Sequence, residues 1–350
     1  MPQVVQFTAP YRVTLADAEP FPLRPGHVRV RTWYSGISAG TELTAYRGSN
    51  PYLAKTWDEA RRLFVDGTPR FSYPLTGWGY QEVGEVVEVA DDVAALGPGD
   101  VVFGIWGHVS EAVVPVEKVD RQRLPAGLDP VHGVFSRLGA IALNAVLGAE
   151  VHLGEDVAVF GQGVIGLLAT RLTVLSGGRV LAVDAIPGRR ELALGMGAAE
   201  VFAVDTPGGA ASAMRDHTGG RGVDAAIELS GSHHALHEAV RSVGADGTVV
   251  AAGFYQGEAS GLRLGEEFHH NRVRIVASQI GGTPSALGPR WDHARLVAVF
   301  MAAVGDGRVE VAPLVSHVVD AADVADAFAR LDTDPASVLQ MVLRFPGAPA

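Results

Sequence analysis

Six residues carry the sharpest chemical signal in the chain: Gly161-Gln162-Gly163-Val164-Ile165-Gly166. An apolar run, Val157 to Phe160, leads into them, and a helix-type run, Leu167 to Leu175, follows at once. Gly161 allows a sharp turn out of a strand, Gly163 lets backbone approach a pyrophosphate, and Gly166 lets the helix lie close on the strand. The first helical N–H groups, from Val164 and Ile165 onward, then present the positive end of the helix dipole to the phosphates. A second apolar run, Arg179 to Val183, ends in Asp184, whose carboxylate can accept both hydroxyls of an adenosine ribose. Glycine-rich turns are common, but strand, triplet, helix, strand and terminal acid in this register specify a dinucleotide site. Asp184 favours NAD, because it repels the extra 2′-phosphate of NADP. Arg189 and Arg190 keep NADP as the alternative, since guanidinium groups pair well with phosphate.

These residues need a sheet to hold them. After a helical approach (Val131 to Leu147), strand runs begin at Val157, Val180, Val201, Val223, Gly247 and Val273, with helical segments between most of them. That alternation predicts an α/β domain with a doubly wound parallel sheet over 125–281. Ser230 and Gly253 then fall at the carboxyl ends of strands, where such sheets bind ligands. Residues 1–124 read instead as a β-rich domain, with short runs (His27 to Thr32, Glu82 to Val89, Asp100 to Phe103, Glu111 to Val116) cut by Gly and Pro turns.

Composition narrows the function classes. The chain has 350 residues, long enough for two cores, and a net charge of −11. That charge argues against nucleic acid or an anionic membrane as partner. The longest near-candidate for a membrane span, Val157 to Thr170, is glycine-broken and stops at Arg171. No signal peptide is visible in Met1-Pro2-Gln3-Val4, so a cytoplasmic enzyme with a small-molecule substrate is expected. Zero cysteines leave no disulfide, no thiol nucleophile and no thiolate metal site.

Further stretches follow a family order. Ser35-Gly36-Ile37-Ser38-Ala39-Gly40-Thr41-Glu42, Gly79-Tyr80-Gln81-Glu82-Val83-Gly84, Pro98-Gly99-Asp100-Val101-Val102 and the glycine loop occur in sequence. Taken together, from about Val28 to Phe345, the chain resembles the medium-chain dehydrogenase/reductase superfamily. It is most similar to the zinc alcohol dehydrogenase-like branch and its bacteriochlorophyllide hydroxyethyl dehydrogenase-like subgroup. The resemblance implies a Rossmann cofactor domain over 125–281 and a GroES-like β-barrel catalytic domain over 1–124, completed by 282–350. It also implies a catalytic zinc, and there the residues depart. The branch's Cys ligand falls at Ser38 or Ala39, its His ligand at Tyr80, and its third ligand near Arg137 to Ala140, which holds no Cys, His or acid. The four-cysteine structural lobe is missing between Gly107 and Val119. A catalytic zinc needs three N, S or O ligands from the protein, so the expectation is no zinc.

By resemblance, Thr41 matches the hydroxyl that relays the substrate proton and Glu42 the acid beside it. Tyr80 either hydrogen-bonds the reacting oxygen and moves its proton, with Thr41 or Glu42, or fills the vacated metal cavity. A phenol with a pKa near 10 needs burial or a nearby cation to act as a base. Glu42 also reads as a buried structural acid bonded to backbone N–H groups or a cation. Thr56-Trp57-Asp58-Glu59 has the form of a capping box, with Trp57, Ala60 and Phe64 at helical spacing, predicting a helix that acts as a lid or a packing element. His233-His234-x-x-His237 could set two rings on one helix face for a metal but lacks a further ligand and reads as a polar helix start; His108, His269 and His270 could contact cofactor or substrate but read first as loop or interface residues. The edge strand near Arg274 to Ile280 suggests a homodimer or a dimer of dimers. The activity expected is zinc-independent, NAD(P)-dependent hydride transfer with a secondary alcohol or ketone of a polyol, cyclitol, sugar-like or secondary-metabolite substrate. Metal-free reduction of a C=C or C=N bond, a redox-neutral cycle with retained NAD, and non-catalytic cofactor binding stay open beside it.

Overall fold

Strands β1 (Gln3–Ala9) and β2 (Arg12–Asp17) pair antiparallel and begin the chain. The computed structural model describes residues 1–349. Next comes β3 (His27–Ile37), whose Val28, Val30, Thr32 and Tyr34 alternate inward as a half-buried strand requires. From Ser35 the alternation stops and every residue to Ile37 is buried, so the end of β3 is walled on both faces. Helix α1 (Ala39–Arg47) follows, then β4 (Thr56–Asp58), β5 (Leu63–Val65), β6 (Glu82–Val89), β7 (Val101–Gly104) and β8 (Glu111–Pro115).

The helix predicted over the 56–64 stretch is a hairpin. β4 and β5 pair antiparallel, with Trp57 opposite Phe64 and their rings 5.1 Å apart edge to face. The Asp58 side chain accepts from the Arg61 N–H, and Arg62 takes a left-handed φ of 56°, which turns the chain back. A seven-residue spacing puts two aromatics on one helix face, but also opposite one another across a tight hairpin, and the aromatic pair settles it.

Helix α2 (Ser136–Gly148) leads to β9 (Asp156–Phe160), α3 (Val164–Leu175), β10 (Arg179–Val183), α4 (Pro187–Gly195), β11 (Glu200–Phe202) and α5 (Ala210–His217). β12 (Val223–Glu228), α6 (His233–Ser242), β13 (Val243–Ala251), β14 (Arg274–Ala277) and α7 (His293–Gly305) complete this part. Its six strands are all parallel, in the order β11-β10-β9-β12-β13-β14. The order reverses beside β9, so the carboxyl end of β9 is the topological switch point at which ligands bind. β9 is buried from end to end, as an apolar central parallel strand must be. The chain closes with β15 (Val315–Asp320), α8 (Val324–Thr333) and β16 (Gln340–Arg344). The mixed sheet of the first unit runs β15-β16-β3-β6-β7, and β8 pairs with the first half of β3.

The unit boundaries differ from the expected 124/125 and 281/282. One unit is Met1–Arg137 with the chain from Val311 onward; the other is Leu138–Glu310. The turn at Pro130–Phe135 stays with the first unit because Gly133 packs on Val83 of β6. α7 stays with the second because it locks into α2. The expected limit on apolar length also needs correction: Pro130–Gly148 has the length and mean hydropathy (1.3) of a span, but 67% of it is buried, as in a core helix.

The α2–α7 lock is a close one. A Cβ on Gly139 would lie 2.1 Å from the ring of Phe300, which is itself fully buried. Gly139→Ala should therefore cost about 1–3 kcal/mol by overpacking. Chemical denaturation should show that adding Phe300→Leu recovers part of that loss, so the double variant is less destabilised than the sum of the single ones.

Candidate active site

The glycine loop is built by contact. A Cβ at Gly166 would lie 1.7 Å from the carbonyl oxygen of Gly161, so no other residue fits where α3 meets β9. α3 begins at Gly163 with no side-chain cap, which leaves its first N–H groups, including those of Val164 and Ile165, for an anion. Asp184, at the end of β10, is 7% exposed and accepts from the Gln162 N–H at 2.6 Å and from the Ile186 N–H at 2.8 Å. Its carboxylate thus ties the phosphate turn to the second strand. The Gln162 side chain turns inward, donating to the Val159 carbonyl and accepting from Thr170. Arg189 reaches toward Gly163, within 4.0 Å of where a Cβ would stand. Arg190 donates to the Asp184 carbonyl at 2.7 Å and is committed to the backbone.

At the neighbouring strand end, Glu228 of β12 is fully buried and accepts from Ser230, the Gly231 N–H and the Tyr255 hydroxyl. Burial raises the Glu228 pKa against those hydrogen bonds. Gly253 donates its N–H to the Glu228 carbonyl, and a Cβ there would strike Gly231. The expected cofactor residues Gly161, Gly163, Gly166, Asp184, Arg189, Ser230 and Gly253 therefore gather at the ends of β9, β10, β12 and β13, and they fit a dinucleotide.

In the other unit, the start of α1 meets the start of β6. The Tyr80 phenol donates to Ser38 Oγ and lies 3.2 Å from Thr41 Oγ1. Burial and the charge of Glu42 push the Tyr80 phenol up to about 12, while the Ser38 and Thr41 bonds and the Arg137 guanidinium pull the other way. Burial and Glu42 outweigh Arg137 and the two hydroxyls, so Tyr80 is a neutral hydrogen-bond donor.

Beneath this trio runs a chain of buried ionisable groups. Glu42 accepts from the Ser38 N–H at 2.9 Å and faces His108 Nε2 at 2.5 Å. His108 Nδ1 lies 2.6 Å from Ser35 Oγ, which donates to Glu82 Oε1 at 3.0 Å. Glu82 also accepts from the N–H groups of Gln81 and Trp106. Since the Ser35 hydroxyl hydrogen goes to Glu82, its oxygen accepts from His108, and both ring nitrogens carry hydrogen. His108 is an imidazolium between two carboxyl groups, with Glu42, Glu82 and His108 all 0–1% exposed. Burial lowers the His108 pKa, but the charge and hydrogen bond of Glu42 and the charge of Glu82 outweigh it, and the net shift is upward. Burial likewise raises Glu82, against His108 and its hydrogen-bond donors. Gly79 lies on this chain with a φ of 107°, and a Cβ there would stand 2.8 Å from both Glu82 and His108.

Residues 164–292 match the family model described as zinc-binding dehydrogenase. D-guloside 3-dehydrogenase of Escherichia coli is 27% identical over 97% of this chain and 98% of its own length. The 2-desacetyl-2-hydroxyethyl bacteriochlorophyllide A dehydrogenase of Rhodobacter capsulatus is 28% identical over 97% of each chain. The family-model match lies within the second unit, whereas the similarity to these two dehydrogenases runs along nearly the whole chain. The crystal structure of 2R,3R-butanediol dehydrogenase from Bacillus subtilis shares the fold, with a TM-score of 0.79 and 21% identity over 98% of this chain and 99% of that one.

Sequence reasoning named Tyr80, Thr41 and Glu42, and the structure brings Tyr80 and Thr41 into contact while placing Glu42 beneath them on His108. It missed Ser35 and Glu82, and it read His108 as a loop residue. The only signal available was the coincidence of two acids and a histidine in one β-rich domain. Their meeting depends on β3–β6 register, which sets Ser35 opposite Glu82. Glu228 and Tyr255 were also missed, because a strand-end acid bonded to backbone has no spacing signature.

The ion chain gives a pH signature. A folded pKa raised above the ordinary 6.5 of histidine stabilises the fold fully below that value, and the contribution is lost as pH rises through the folded pKa. His108→Gln should cost about 3–5 kcal/mol near pH 6, because it leaves buried carboxyl groups unpaired. Thermal unfolding at a series of pH values should show this deficit shrinking as pH rises above 6.5.

Proposed function

We propose that this protein is a metal-free, NAD-dependent reductase and dehydrogenase of a secondary alcohol and ketone pair on a sugar-like, polyol or secondary-metabolite scaffold. The observation that carries the proposal is the Tyr80–Ser38–Thr41 cluster at the positions where the family holds its metal. Three hydroxyls that satisfy one another, one of them a phenol raised to about 12, offer no imidazole, thiolate or carboxylate to a zinc ion. Ala39 offers no donor atom. The donor set does not fit zinc. The guloside and bacteriochlorophyllide relatives support the substrate class, since both names describe dehydrogenases of hydroxylated carbon on larger scaffolds.

Bound nicotinamide supplies the hydride donor or acceptor at C4. The chain supplies orientation and the proton. In the reducing direction, Tyr80 donates a hydrogen bond to the substrate carbonyl oxygen and gives up its proton as that oxygen gains negative charge. Ser38 and Thr41 then support the phenolate, and Arg137 stabilises it by charge. The oxidising direction reverses each transfer. A phenol held protonated near neutral pH is in the form that the reducing direction needs. Asp184, with both oxygens anchored to backbone N–H groups, supports NAD over NADP. β14, an edge strand with exposed residues, supports pairing with a second copy as a homodimer.

The test is a cofactor-absorbance screen of polyols, sugar lactones and ketoses with all four nicotinamide cofactors, carried through to kinetics on the best substrate. Tyr80→Phe should lower kcat about 10²-fold or more with the KM for cofactor unchanged. NAD(H) should exceed NADP(H) in kcat/KM by about tenfold or more. Tyr80→Phe turnover within twofold of wild type would refute the proton assignment.

A further inference from the structure

The histidine run at 233–237 does something its sequence conceals. α6 carries His233 to a stack on Tyr255, with ring centroids 5.6 Å apart. One turn on, His237 points into the protein at 8% exposure, and its Nδ1 is buried without a hydrogen-bond partner among the described residues. Facing it is a single helical turn, Leu264–Phe268, that supplies Glu266 and Glu267. One Glu267 oxygen, Oε2, is likewise buried and unpartnered. A ligand atom from each of His237, Glu266 and Glu267 lies within 4.8 Å of the other two.

Buried polar atoms are almost always paired, because an unpaired one loses its hydrogen bonds to water without replacement. Here two residues that each carry such an atom, His237 and Glu267, bring ligand atoms within 4.8 Å of each other and of Glu266. The cations already near the acids do not saturate them: Arg241 reaches the other Glu267 oxygen at 3.4 Å, and Arg263 reaches Glu266 at 3.3 Å, both long for a charge-assisted bond. Zinc ligands at about 2.0–2.2 Å from the metal stand roughly 3.3–3.6 Å apart, which rotation of the exposed Glu266 side chain can reach.

We propose that His237, Glu266 and Glu267 form a divalent transition-metal site, of zinc or manganese type, with water completing the shell. One imidazole and two carboxylates suit those ions better than a soft metal. The site clips the segment between β13 and β14 onto α6. That segment also carries Tyr255, which bonds Glu228 at the cofactor end of the sheet, so metal binding steadies the cofactor side. The site belongs to the second unit and shares no residue with the Tyr80 cluster, so it stands whether or not that cluster is metal-free.

The test is calorimetric titration of metal-stripped, full-length protein with ZnCl2 and with MnCl2, alongside thermal unfolding with and without each ion. Wild type should bind one ion per chain with a rise in Tm. His237→Ala, Glu267→Gln and the surface change Glu266→Gln should each weaken binding by about tenfold or more. Ser38→Ala and Tyr80→Phe should bind as wild type does. No saturable binding in wild type, undiminished binding in Glu266→Gln and Glu267→Gln, or loss confined to the Ser38 and Tyr80 variants would each overturn the proposal.

Discussion

A positive ring held between two carboxyl groups, all out of water, is the constraint on which the catalytic unit depends. Each carboxyl group does two jobs. Glu42 neutralises His108 and also caps the Ser38 N–H, which fixes where α1 begins and so where Ser38 and Thr41 stand. Glu82 receives Ser35 and the N–H groups of Gln81 and Trp106, which fixes the start of β6 and so where Tyr80 stands. Removing one partner from such an arrangement is expensive because the remaining charge has nowhere to go. The hydroxyl cluster above is thus held from below by ionic bonds.

The cofactor unit is organised by a different constraint, the absence of side chains. Gly166 against Gly161, Gly253 against Gly231 and Gly139 against Phe300 are approaches that no Cβ survives. They set the closeness of α3 to β9, of the β13 loop to the β12 loop, and of α7 to α2. Asp184 and Glu228 then occupy equivalent places at two strand ends, each accepting backbone N–H groups of the loop it borders. Only Asp184 announces itself in the sequence, because ribose recognition gives it a fixed distance from the glycine triplet.

That contrast explains how far the chain could be read. The parallel sheet, its strand starts and the glycine turn follow from local pattern, since each strand is one apolar run and each connection is short. The 56–65 hairpin was mistaken for a helix because Trp57 and Phe64 satisfy both periods, and only the Asp58–Arg62 turn distinguishes them. The His108 chain could not be read at all: Ser35, Glu42, Glu82 and His108 are linked by strand register and a sharp turn at Gly79, not by spacing. His237 was judged as part of a local histidine motif, whereas its partners stand about thirty residues downstream.

The central claim is that the Ser38–Thr41–Tyr80 cluster, braced by an imidazolium, does its chemistry as hydroxyls and not as a metal shell. The most direct measurement is an anomalous difference map collected at the zinc edge from crystals grown with added Zn²⁺ and NAD. The account predicts no peak within coordinating distance of Ser38, Thr41 or Tyr80. A strong peak there, bonded to the Tyr80 oxygen, would contradict it.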